Sequence, residues 1–112
     1  ISQARMDSSM ILAYFNPSSE VESAWYAIPG YGPSASYMTR YFVYKTTPSS
    51  PDYLFAVRLS VPSGGIFTTT VTWRKTRIFL VKASTVMEGG RKISHPDYND
   101  YYTVCRYYGV PE

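Results

Sequence analysis

His95 is the side chain best suited to proton transfer near neutral pH, because only imidazole titrates there without a large shift. Asp97 and Asp100 follow closely, and a carboxylate beside an imidazole can orient it as a general base. A ribonuclease-like reaction would add a carboxylate such as Glu20 or Glu22, and an arginine to hold the phosphate. Residues of these types occur in nearly any chain of this size, and a histidine before Pro96 in a polar loop is more often incidental than catalytic. The expectation is a protein that is not an enzyme, with no catalytic residue assigned. A small hydrolase or ribonuclease using His95 stands third among the functional readings.

Metal and phosphate chemistry is weakly signalled. Asp97, Asn99 and Asp100 offer oxygen ligands that calcium favours, but the central glycine and distal glutamate of an EF-hand loop are missing. One histidine and one cysteine, Cys105, cannot fill a zinc shell without two carboxylates. The lone cysteine also excludes an internal disulfide, and within Tyr102–Tyr108 it reads as a small buried hydrophobe. Gly30-Tyr31-Gly32 gives G-x-G, yet no third glycine opens a helix, and Ser36 stands where a nucleophile elbow needs glycine. No metal and no cofactor is expected.

Aromatic residues interleaved with cations carry more information. Trp73, Arg74, Lys75 and Arg77 set an indole beside three positive charges, and Tyr98, Tyr101, Tyr102 and Arg106 crowd the last segment. These eight are the candidate binding residues. Tyr, Trp and Arg dominate protein interfaces, and exposed rings also lie against sugar faces, so the first reading is a recognition module for a protein or glycan. The second is single-stranded nucleic acid, because Tyr53 to Met87 holds five cations, Arg58 to Lys82, and no acidic residue. Alternation along strands must bury many of the rings, so any single tyrosine is as readily core as contact.

The elements that position these residues are mostly strands. With 12 Tyr, 5 Phe and 2 Trp, the composition favours pleated, half-buried surfaces. Tyr53 to Val61 alternates apolar and mixed residues, Pro62-Ser63-Gly64-Gly65 reads as a turn, and Phe67 to Trp73 resumes the alternation, which predicts a β-hairpin. Further strands are expected at Met10–Phe15, Tyr37–Thr46, Arg77–Val86 and Tyr101–Tyr108, with a turn at Arg74–Thr76 and a stub at Lys92–Ser94. Ser19 and Glu22 have capping-box spacing, so a single short helix is predicted near residues 18–27. Residues 1–9 read as a loose N-terminal segment. The predicted fold is all-β: an antiparallel sandwich or curved sheet of about six strands, one domain over residues 1–112.

Its setting is bounded only loosely. No run approaches the ~18 apolar residues that a spanning helix needs. A chain beginning at Ile1 fits a processed product or an excised piece, and the balance leans toward an extracellular, periplasmic or virion surface. Uncovered sheet edges leave homo-oligomerisation open.

Overall fold

The computed structural model describes residues 1–82 and 96–112. In order, the elements are α1 (Gln3–Ser8), β1 (Ser9–Pro17), β2 (Tyr26–Ile28), β3 (Gly30–Tyr31), a one-turn 3-10 helix (Pro33–Ala35), β4 (Met38–Tyr44), β5 (Leu54–Ser60), β6 (Trp73–Lys82) and α2 (Tyr101–Tyr108). The predicted class holds: antiparallel strands dominate, in two sheets ordered β2-β1-β6 and β3-β4-β5. Among the described residues, no helix is long and apolar enough to cross a membrane.

The apolar run Met10–Phe15 becomes the middle of β1, the central strand of the first sheet. Successive strand residues point to opposite faces, so β1 feeds two cores. Ala13 and Phe15 join Ile28 and Tyr37, packed against Tyr41, Phe55, Val57 and Leu59 of the second sheet. Tyr14 goes the other way and packs with Tyr101, Val104 and Cys105 of α2. The result is three layers, second sheet, first sheet and α2, with β1 buried on both sides. Each fully buried ring here contributes ~1.5–3 kcal/mol from leaving water.

Five sequence expectations are corrected. Residues 18–27 form no helix: the Asn16 side chain donates to the Glu22 and Ala24 carbonyls at 2.9 and 2.7 Å, and Arg74 donates to those of Pro17, Ser18 and Glu20. Those carbonyls are taken by side chains, and Tyr26–Ile28 pairs with β1 instead. Conversely, residues 101–108 are a helix rather than a sixth strand. Asp100 accepts from the Tyr102 and Thr103 amides, and Gly109 at φ 66° closes the far end, with Gly109 N–H on Arg106 and Val110 N–H on Cys105. Side-chain cap and left-handed glycine together satisfy both ends.

The predicted hairpin also fails to close. After Ser60 the chain makes one bridge to Ile66, then crosses to the first sheet, where Trp73 starts β6 and Arg74–Thr76 continue the strand rather than turning. Phe67 and Val71 explain the crossing, because both pack into the core between the sheets. Finally, the N-terminal segment is ordered as α1, capped by Ser2, while Ile1 and Tyr53 exchange backbone hydrogen bonds. His95, the expected Lys92–Ser94 stub and the end of the expected Arg77–Val86 strand lie outside the described residues.

Candidate functional site

The eight residues singled out in the sequence are divided by the fold. Trp73 is half-buried on the inner side, stacked on Phe15 at 4.2 Å with its Nε1 donating to the Tyr37 hydroxyl at 3.2 Å. Arg74 spends its guanidinium on the loop after β1, with 2.8 Å to the Glu20 carbonyl and 3.0 Å to that of Pro17. Arg77 donates to the Tyr101 hydroxyl at 2.8 Å and to the Pro111 carbonyl, and it lies over the Phe79 ring. Tyr101 is buried, stacked with Trp25 at 4.1 Å, and burial raises its pKa against the opposing pull of Arg77. The Tyr102 hydroxyl donates to the Ser23 carbonyl, the Tyr98 carbonyl accepts from Tyr14, and exposed Arg106 is within 4.0 Å of Glu112. Lys75 is exposed on β6.

Arg74, Lys75, Arg77, Tyr101 and Tyr102 do converge around Trp25, lining shallow depressions between β6 and α2. Arg74, Arg77, Tyr101 and Tyr102, however, are turned to holding the helix and the Ser18–Trp25 loop in place. These are structural hydrogen bonds.

A different surface combines rings and cations. The first sheet is covered on both faces, and the second on its inner face, so among the described residues the outer face of β3-β4-β5 is the sheet surface left open. Alternation decides what it displays. In β4 the outward positions are Arg40, Phe42 and Tyr44; in β5 they are Leu54, Ala56 and Arg58. The register sets Arg40 opposite Arg58, Phe42 opposite Ala56 and Tyr44 opposite Leu54.

This face therefore has a charged end and a ring-bearing end. Phe42 and Tyr44 are 38% and 42% exposed, with ring centroids 5.6 Å apart and planes 33° from parallel. The Arg58 guanidinium lies 5.1 Å above the Phe42 ring. Among the described residues, neither Arg40 nor Arg58 is ion-paired. Beyond them, the Val61–Gly65 turn and Ile66 close a depression of about 460 Å³ lined by Arg40, Arg58, Ser60, Gly64 and Gly65. Gly64 sits at φ 103°, a conformation that favours glycine. Ile66, at 85% exposure, is the most open large apolar side chain in the chain's described part.

Of these residues only Arg58 was legible as a candidate contact, as part of the basic segment 58–82, and Gly64 and Gly65 only as a turn. The fold splits that segment: Arg58 belongs to the second sheet, and Arg74, Lys75, Arg77 and Lys82 to the first. A signal was present in Arg40-x-Phe42-x-Tyr44, where cation and rings share one parity, but Tyr41 and Val43 between them are apolar too, so the residues alone do not say which parity faces out. Comparison with protein-family models, with curated proteins and with solved structures finds no match for this chain, so the site's chemistry rests on its own geometry.

Proposed function

We propose that this chain is a non-enzymatic recognition module that holds another macromolecule on the outer face of β3-β4-β5. The observation that carries this reading is the Arg40–Arg58 pair. Like charges on directly opposed strand positions destabilise a sheet, and here no carboxylate of the described residues offsets them. An anionic group bound between the two guanidiniums would reverse that repulsion. The exposed Phe42 and Tyr44 rings next to them supply flat contact area, which is what recognition surfaces use.

Of the partner classes that the sequence admits, protein, glycan and nucleic acid, the pair favours members that carry negative charge. The test is retention at low salt on immobilised heparin, polyglutamate and single-stranded oligonucleotide. Wild type is expected to bind at least one of them, Arg40→Glu/Arg58→Glu to lose it, and Lys75→Glu on the other sheet to keep it. No retention of wild type on any of the three, or loss in Lys75→Glu alone, overturns the proposal.

A further inference from the structure

We infer that the partner on this face is single-stranded nucleic acid, with phosphates in the Arg40–Arg58 depression and two successive bases on Phe42 and Tyr44. The inference rests on the recognition reading above and goes further by naming the ligand. Three observations point the same way.

The first is the division of labour along the sheet. Cations occupy one end of the outer face and rings the other, as a chain with charged backbone on one side and flat bases on the other requires. An acidic peptide would satisfy the arginines and leave the rings with nothing planar to meet. The second is spacing. Phe42 and Tyr44 are two residues apart on one strand face, and their centroids lie 5.6 Å apart, so each ring can take its own base. Sheet-face aromatics used in this way stack unpaired bases in single-strand readers. The third is the depression itself. Its wall at Gly64 has no side chain, and a Cβ built there would meet nothing within 4 Å, so a sugar-phosphate backbone can approach the turn closely. Arginine is also the side chain whose planar fork matches phosphate oxygens.

Base binding in this mode requires Arg58 to move. Its guanidinium lies 5.1 Å over the Phe42 ring. A base stacking on Phe42 takes that place and moves the guanidinium toward the phosphates, where it faces Arg40 across the bound anion. Duplex is excluded from this mode because its base faces are already stacked on one another. Sequence preference is expected to be slight, because stacking and phosphate contacts accept any base.

The test titrates the full chain with a single-stranded oligonucleotide, the matching duplex and heparin at several salt concentrations. Single strand is expected to bind more tightly than duplex. Phe42→Leu and Tyr44→Leu, which keep apolar bulk on β4 but remove the π face, are each expected to weaken single-strand binding roughly tenfold and to leave heparin retention unchanged. Arg40→Gln/Arg58→Gln should lower the slope of log affinity against log salt by about 1.4, the share of two phosphate contacts. Thermal melts of the leucine variants establish that they fold; if one does not, Tyr44→His keeps a flat ring and should retain binding where leucine loses it. Equal affinity for duplex and single strand, or leucine variants that bind as wild type, overturns the nucleic-acid inference while the recognition reading stands. Failure to bind heparin, polyglutamate and oligonucleotide alike overturns both.

Discussion

Arg40 and Arg58 face one another across the β4–β5 ladder, on the sheet surface that the described residues leave open, and the second of them lies 5.1 Å over Phe42. A strand pair selected for stability alone would oppose unlike charges there. Arg40→Glu is accordingly expected to raise stability by roughly 0.2–1 kcal/mol while abolishing binding to polyanions. Denaturant unfolding monitored beside retention on heparin checks both signs. A variant that loses binding and stability together would mean that Arg40 serves the fold.

Tyr14 links the first sheet to the segment preceding α2. It is 1% exposed and donates to the Tyr98 carbonyl at 2.6 Å. Burial, and after it the nearby Cys105, Asp97, Tyr98 and Asp100, pushes its hydroxyl well above the ordinary tyrosine value of 10.0. Tyr108 is pushed the same way, by burial first and then by its hydrogen bond with Tyr98. With the folded pKa raised, the unfolded chain releases its proton first. Stability is therefore fully present below pH 10.0 and falls as pH rises beyond it. Tyr14→Phe is expected to cost about 1 kcal/mol at neutral pH for the lost hydrogen bond, and to make the alkaline decline shallower. Unfolding followed across the alkaline range by tyrosinate absorbance measures both.

Asn16 is the polar pin of the Ser18–Trp25 loop. At 2% exposure its Nδ2 serves two carbonyls, Glu22 and Ala24, and its Oδ1 accepts from Arg74. Asn16→Ala strands those two acceptors and is expected to destabilise by about 2 kcal/mol. The loop carries Trp25 onto Tyr101, so the loss should also appear as a changed tryptophan fluorescence. Unaltered stability in Asn16→Ala would show that water replaces the side chain freely.

Asp100 caps α2, and its carboxyl is held below the usual 3.8 by the Thr103 hydroxyl first, then by the Thr103 and Tyr102 amides. A lowered folded pKa contributes stability above 3.8 that is lost as pH falls through the folded value. Acidification below the ordinary carboxylate range is thus expected to fray α2. Asp100→Asn, still an N-cap but uncharged, should remove that part of the acid sensitivity while keeping the helix, and Asp100→Ala should lower helicity at every pH. Circular dichroism against pH distinguishes the three proteins.

Strand parity was legible along the chain wherever one face is buried. Tyr53–Val61 and Met10–Phe15 were read as strands because alternation and apolar runs are local properties, and they became β5 and β1. The β-rich class followed from a composition of 12 Tyr, 5 Phe and 2 Trp, also a local property. What parity cannot say is which strand lies beside which. Phe67–Trp73 alternates as a hairpin partner of β5 should, yet Phe67, Val71 and Trp73 bury more by bridging the two sheets, and that gain depends on residues far away in sequence. Tertiary context overrode local pattern twice: Ser18–Trp25 is a loop rather than a helix, and Tyr101–Tyr108 a helix rather than a strand. In the first, Asn16 and Arg74 took the loop's carbonyls; in the second, Tyr101, Val104, Cys105 and Tyr108 found Tyr14 at helical spacing.

The site divides in the same way. That some rings would stay exposed was readable from their abundance, since so many cannot all be covered. Which of them remain outside was settled by tertiary packing: Trp73, Arg74, Arg77 and Tyr101 are turned to partners brought from elsewhere in the chain. Arg40, Phe42, Tyr44 and Arg58 stay open because β1 is covered on both its faces and, among the described residues, no further layer lies on the far side of the second sheet. Sequence fixes which side chains point together; only the stacking of layers decides which of those faces meets solvent.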